Sequence, residues 1–228
     1  MDDLASRLAD VDARIADAAR AAGREATGIT RIVVTKFHPA ALVADLYRLG
    51  VRDVGENRQQ ELTTKTAQSS ALAGLRWHFI GQAQTKKARA IRAAASVVHS
   101  VDRNRLADAL DRAGDDGSVL DVLLQVNLTD DPDRGGVAPA GLEALAEHIL
   151  EGCPTLRVRG VMAVAPLDEP PASAFERLAG YAQRLRAAVP GADWISAGMT
   201  ADFAEAIAAG ATHLRIGSAI TGARPTHI

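Results

Sequence analysis

The sequence predicts an α/β fold: one (β/α)8 barrel with an extra helix in front, occupying residues 1–228 as a single domain. Three observations predict it. Eight short β-rich runs alternate with Ala- and Leu-rich helical stretches, no composition break long enough to be a linker interrupts them, and 228 residues with 47% hydrophobic content suit a barrel near its lower size limit. A doubly wound open sheet is the competing topology. Against it, no Gly-x-Gly-x-x-Gly follows the first strand, and the glycines suited to phosphate lie near the far end of the chain.

The opening "MDDLASRLADVDARIADAAR" places Leu4, Leu8, Val11, Ile15 and Ala19 at helical spacing, and Gly23 stops the helix. Strands are then expected at 31–35, 52–56, 76–81, 96–101, 122–127, 157–164, 194–198 and 213–218. Helical stretches between them each carry one apolar stripe fit to cover a sheet, as in Leu42/Leu46/Leu49, Leu142/Leu145/Ile149 and Phe175/Leu178/Tyr181/Leu185. Two longer loops, 129–139 after the fifth strand and 165–173 after the sixth, fall at the strand-exit end, where barrel enzymes keep their chemistry.

Charge and cysteine content narrow the function classes. Lys plus Arg total 26 against 28 acids, a net charge of -2, which argues against a nucleic-acid or membrane-surface binder. Cys153 stands alone, so an internal disulfide and a multi-cysteine zinc site are both excluded. No stretch resembles a signal peptide or approaches a membrane span, and a cytoplasmic monomer is the expectation.

Alternation along the first strand puts Ile32, Val34 and Lys36 on one face, so Lys36 is expected inward at the barrel mouth. Two readings are open. A lysine half-sunk among apolar walls becomes a neutral amine able to form a Schiff base, whereas a snorkelling lysine caps the strand and keeps its charge in water. The far end of the chain bears on the choice. Barrels commonly bind phosphate on the loops after strands seven and eight, and here Gly198 permits a tight turn before Thr200, while Gly217 gives backbone access and Ser218 can cap a short helix. Arg215 shares the inward face with Gly217, and a guanidinium in a barrel mouth needs an acceptor. A lysine for an aldehyde, two loops for a phosphate and an arginine for a ring nitrogen together describe pyridoxal 5'-phosphate.

The chain also resembles the pyridoxal phosphate homeostasis family, barrels similar to the N-terminal domain of alanine racemase. The resemblance rests on "VVTK" at 33–36, "VGENRQQE" at 54–61, "WHFIGQAQTKK" at 77–87, "HSVDR" at 99–103, "QVN" at 125–127, "RGVMAV" at 159–164, "GMTADFAEAI" at 198–207 and "RIGSAITGARP" at 215–225. It implies that Lys36 carries the Schiff base, Asn57 lies beside the cofactor, Arg215 faces the pyridine nitrogen, and Met199, Thr200, Gly217 and Ser218 hold the phosphate. It further implies a role in supplying the cofactor, with transient contact to enzymes that require it. Thr200 replaces a more usual serine and keeps the hydroxyl. Ala83 and Lys86 replace a usual leucine and asparagine, and Arg58 and Gln59 stand where tyrosine and valine commonly follow "GEN".

Other residues get plainer readings. His78 and His99 are expected as hydrogen-bonded wall residues, with no metal site. Glu61 is expected to stabilise a helix end, and Lys86, Lys87, Arg89 and Arg92 to form a solvated basic face. Tyr47 and Tyr181 fall in helices, so neither suits the second acid of a racemase. Three functions follow: a protein that holds and hands over pyridoxal phosphate, a weak racemase or lyase using water or a histidine such as His78 as its acid, or a phosphosugar aldolase or isomerase using Lys36 without coenzyme.

Overall fold

A computed structural model describes residues 2–114 and 117–224; Pro225, the last residue of the 215–225 motif, lies outside them. Eight parallel strands close into a barrel in sequence order: β1 (Thr30–Val34), β2 (Asp53–Glu56), β3 (Arg76–Phe79), β4 (Val97–Val101), β5 (Leu120–Gln125), β6 (Leu156–Met162), β7 (Trp194–Ser196) and β8 (His213–Ile216). Closure is through β1 and β8, with Ile32 opposite Arg215. Every strand falls on its expected run, and most end one or two residues earlier than the hydrophobic pattern suggests. Exit residues still make single bonds to the next strand while the chain bends into loops, as at Gly198, whose carbonyl accepts from the Arg215 amide at 2.9 Å and whose φ of 88° turns the chain after β7.

Around the barrel lie α1 (Asp2–Ala21), α2 (Ala40–Arg48), α3 (Gln59–Gln68), α4 (Ala88–Ala94), α5 (Asn104–Asp111), α6 (Leu142–Gly152), α7 (Pro171–Ala188), α8 (Phe203–Ala208) and α9 (Ser218–Thr221). Leu4, Leu8, Val11, Ile15 and Ala19 of α1 are all buried, and this helix packs on α8 and α9. Gly23 ends the segment with φ 66°, as a C-terminal glycine does. In α2 the buried stripe is Val43 and Leu46; Leu49 lies past the helix end and is exposed. Arg92 departs from the expected solvated face. It is buried, donating to the carbonyls of Ser118, Leu110 and Thr155, which the segments around α5, β5 and β6 bring together there. None of the described helices is long and apolar enough to cross a membrane.

Alternation sorts the strands into two faces. Val33, Val54, Trp77, Phe79, Val98, Val122, Leu124, Val161, Leu214 and Ile216 join the core between barrel and helices. Inward residues are more varied. Val97, Leu123 and Met162 form a small apolar cluster with Trp194 against it, Ile32 and Val34 line β1, and Gly160 admits the β7 backbone so closely that a Cβ there would sit 1.8 Å from the Trp194 carbonyl. The rest of the interior is polar.

His78 Nδ1 lies 2.9 Å from His99 Nε2, His78 Nε2 lies 2.9 Å from Asp53 Oδ1, and His99 Nδ1 lies 2.9 Å from Ser196 Oγ. His213 stacks on Trp194 at 4.3 Å between ring centroids. The two expected wall histidines therefore form one chain. Desolvation drives each of the three imidazoles toward its neutral form, His213 down to about 3 and His99 well below the ordinary range. With both chain histidines neutral, the proton positions follow from Asp53. A carboxylate only accepts, so His78 Nε2–H donates to it; His78 Nδ1 then accepts from His99 Nε2–H, and His99 Nδ1 accepts from the Ser196 hydroxyl.

These histidines set the acid limit of the fold. In the unfolded chain they take up protons below about pH 6.5, whereas burial in the barrel lowers the pH at which each does so, so the unfolded state binds more protons and stability falls as pH drops. For His213 the loss runs from about pH 6.5 to the folded value of about 3. The expected slope is about 1.4 kcal/mol per pH unit for each such histidine. Urea unfolding measured from pH 7 to pH 5 should show this, and His213→Gln should remove one histidine's share of the slope. An unchanged slope in that variant contradicts the assignment.

Candidate functional site

The residues singled out in the sequence fall at the strand-exit end of the barrel or just beneath it. Lys36 follows β1, Asn57 follows β2, Met199 and Thr200 follow β7, Gly217 and Ser218 follow β8, and Arg215 projects into the barrel from β8. Lys36 is exposed, as the snorkelling reading has it, rather than half-sunk among apolar walls. The ladder ends at Val34, and a left-handed turn at Phe37, φ 68°, carries the lysine above the Ile32 and Val34 layer. Its Nζ lies 5.8 Å from the centre of the Phe37 ring, with the guanidinium groups of Arg58 and Arg224 at 5.0 and 4.1 Å from the same ring. Three cations thus share one aromatic side chain at the exit of β1.

A buried ion pair fixes that turn. Glu56 is fully buried at the end of β2, where its Oε1 accepts from the Thr35 hydroxyl at 2.6 Å and from Lys65 Nζ at 2.6 Å. Lys65, reaching in from α3, also donates to the Thr35 carbonyl at 2.8 Å. Glu61 lies in the first turn of α3, as helix-end stabilisation requires, and its Oε2 additionally accepts the Phe37 amide at 2.7 Å. Burial pushes the Glu56 carboxyl up, with the bonds from Lys65 and Thr35 opposing it. Sequence reading missed Glu56 and Lys65 as a pair. The accessible signal was Lys65 four residues after Glu61, a spacing that puts both on one helix face.

Beside this turn, the Asn57 side-chain oxygen is buried without a hydrogen-bond partner among the described residues. Its backbone is held by close approach to Gly81, where a Cβ would lie 2.0 Å from the Asn57 carbonyl. An orphaned acceptor at a barrel exit suits a polar ligand atom. At the β7 exit, the Met199 amide donates to Asp202 Oδ1 at 2.6 Å, so this N–H is engaged within the protein. Thr200 stands next to it, half-buried.

At the β8 exit, Gly217 is the residue before α9 and Ser218 is its first residue, exposed and making no capping bond, so the expected Ser218 cap is not formed. The backbone of Gly217 (φ -110°, ψ -101°) directs the chain so that Gly217 takes the cap position itself. A Cβ there would touch Val34 only at an ordinary 3.6 Å, so packing does not demand glycine. Its bareness leaves room for a group from outside the chain.

Arg215 completes the arrangement. The guanidinium is buried and donates to Ser196 Oγ at 2.8 Å and to the Ala163 carbonyl at 2.8 Å. Burial lowers it to about 10, which leaves it charged at neutral pH. Through Ser196 it joins the chain of His99, His78 and Asp53.

The two long exit loops meet across a groove of about 850 Å³ lined in part by Asn127, Thr129, Arg134 and Leu167, and Arg134 donates to the Ala165 carbonyl. One grouping of metal-type donors occurs among the described residues, Asp108, His148 and Cys153. It belongs to the outer helix layer.

Comparison with known proteins gives these positions a context. The profile of the family described as alanine racemase, N-terminal domain, matches residues 8–225. Pyridoxal phosphate homeostasis proteins of Pseudomonas aeruginosa and Escherichia coli K12 are 42% and 38% identical, each over 98% of this chain and 97% and 98% of their own. PipY of Synechococcus elongatus, whose structure was solved with pyridoxal phosphate bound, superposes with a TM-score of 0.84 at 33% identity, covering 96% of this chain and all of PipY. Alanine racemase of Corynebacterium glutamicum, at 16% identity and a TM-score of 0.66 over 99% of this chain and 61% of that one, shares the fold. The chain belongs to the pyridoxal phosphate homeostasis protein family, built on the barrel of the alanine racemase N-terminal domain.

Proposed function

We propose that this protein binds pyridoxal 5'-phosphate, holds it as a Schiff base on Lys36, and serves cytoplasmic homeostasis and supply of the cofactor through transient contact with the enzymes that need it. The observation that carries this reading is the position of Arg215. A charged guanidinium inside the barrel, backed by two neutral acceptors, lies beneath an exit end that offers a lysine, an orphaned amide oxygen and two hydroxyl side chains. PipY supports the choice of ligand.

When bound, the cofactor supplies an aldehyde for an amine and a ring able to draw electrons from it. The protein's own groups do the rest. Thr200 and Ser218, with the bare backbone at Gly217, receive the phosphate, and Asn57 accepts a hydrogen bond from the ring substituents. Arg215 is already protonated, so it donates to the ring nitrogen and keeps a second proton away from it, which weakens the ring as an electron sink. Among the described residues, the tyrosines and His78 do not serve as a proton donor on the face opposite Lys36. The Tyr47 hydroxyl bonds the Ala73 carbonyl on the outer surface, Tyr181 lies on α7, and His78 has both ring nitrogens engaged in the buried chain. Holding therefore fits this site better than racemisation or elimination. The phosphosugar reading has no observation of its own in its favour.

Reduction with borohydride followed by peptide mapping should place the cofactor on Lys36, and Lys36→Ala should abolish the adduct. Its melting should change little, by about 0.5 kcal/mol or less, because the side chain is exposed. An adduct on Lys86 or Lys87 overturns the assignment. Thr200→Ala and Ser218→Ala should each weaken binding by about 1–3 kcal/mol, the range for hydrogen bonds to a charged group; unchanged affinity in the double variant moves the phosphate elsewhere. With alanine or serine in heavy water, exchange at Cα followed by NMR should stay far below about one per second, and exchange at that enzymatic rate replaces the holding reading with catalysis.

A further inference from the structure

We propose that Lys65, acting through its buried pair with Glu56 and through Glu61, is the positioning residue for Lys36, and that this clamp sets how much bound pyridoxal phosphate is covalently attached and how fast it leaves. The inference rests on the function proposed above. Its basis is where the bonds of Lys65 end. One goes to the Thr35 carbonyl, one to the carboxylate that also holds the Thr35 hydroxyl, and one, at 3.3 Å, to the carboxylate that holds the Phe37 amide. Both neighbours of Lys36 are thereby fixed, while Lys65 itself, only 5% exposed at its side chain, is turned into the protein.

Stability does not account for such a pair. Removing a lysine and a glutamate from water is costly, and apolar residues of similar volume often serve a fold as well or better. Here the second oxygen of Glu56 has no hydrogen-bond partner among the described residues, so the pair is not arranged for its own best energy. What the arrangement does secure is a strained turn. Phe37 is the one non-glycine residue with positive φ among those described, and a strained backbone of this kind persists only where its surroundings over-determine it.

The chemistry needs such a device. In forming the Schiff base, the neutral Lys36 amine bonds to the aldehyde carbon and the carbonyl oxygen leaves as water, carrying the two amine hydrogens. Release by hydrolysis reverses the step, and water returns the oxygen to the carbon and the two hydrogens to the amine. Lys36 has four rotatable bonds and an exposed stem, so a fixed backbone on both sides narrows its approach to the carbon. A loosened turn lowers attachment and speeds release without touching the phosphate or ring contacts.

Three proteins test this: wild type, Lys65→Met/Glu56→Leu, which replaces the pair by apolar groups of similar size, and Glu61→Gln, milder because Glu61 is partly exposed. Each is titrated with pyridoxal 5'-phosphate and with pyridoxamine 5'-phosphate, which keeps the ring and phosphate but carries an amine in place of the aldehyde and cannot bond to Lys36. Amide exchange at Phe37 is followed in the cofactor-free proteins. We expect the double variant to bind pyridoxal phosphate roughly tenfold more weakly and release it faster, with pyridoxamine phosphate affinity within about twofold and faster exchange at Phe37. Glu61→Gln should move in the same direction by roughly threefold. Equal losses for both ligands make Lys65 merely structural and overturn the proposal, as does an unchanged response to both. If the double variant does not fold, Glu61→Gln decides by the same comparison. A wild type that binds neither ligand removes the proposed function, and this inference with it; one that binds both while the variants lose both alike removes the inference alone.

Discussion

A guanidinium enclosed in a barrel is the constraint on which the rest of the interior depends. Arg215 keeps its charge, and the groups bonded to it, Ser196 Oγ and the Ala163 carbonyl, are neutral. A second positive charge nearby would be costly in so dry a place. His99, one hydroxyl away, is accordingly pushed well below its ordinary range, with Arg215 among the causes after burial and the neighbouring histidines. Neutral imidazoles need one donor and one acceptor each. The chain from Asp53 to Ser196 provides both for His78 and His99 and leaves the Ser196 oxygen to accept from the arginine. Every proton in the series is thus assigned by its two ends.

That order has a consequence for chemistry at the mouth. A histidine relay that could move a proton would need a member able to change state near neutral pH, and burial moves all three histidines toward the neutral form. The interior therefore acts as a fixed dipolar support for Arg215, resisting the reprotonation steps that racemisation uses. Polar residues fill a barrel whose inner layers are usually branched and apolar, and the site draws orientation from them without drawing acid–base function.

Much of the fold was legible because its signals are local. The alternation in "RIVVT" and "HLRIGS" gives strand and face together, and the register places Ile32 beside Arg215 as two inward residues of adjacent strands. The positions of Lys36, Asn57, Thr200, Gly217 and Ser218 at one end follow from the same arithmetic, since each stands just past a strand. Partners were not legible. Glu56 pairs with Lys65 across a strand and a helix, the Met199 amide is taken by Asp202, and Arg92 is drawn inward by carbonyls from three other segments. The exposure of Lys36 was also hidden, because it turns on a positive φ at Phe37 that nothing in a phenylalanine announces.

The two ends of the site differ in stiffness. At one end, Arg215 is buried and bonded to Ser196 Oγ on β7 and to the Ala163 carbonyl just past β6. On the lysine side, the turn after β1 hangs on three side-chain carriers, Glu56, Glu61 and Lys65, of which two come from a single helix. Under the function proposed above, these two ends would play different parts. Arg215, enclosed in the barrel, would keep its position throughout, and the turn that carries Lys36 would set when the covalent bond forms and breaks. That division puts control of attachment in the clamp of Glu56, Glu61 and Lys65 rather than in an acid–base group, which is what the proposed holding role, unlike turnover, would draw on.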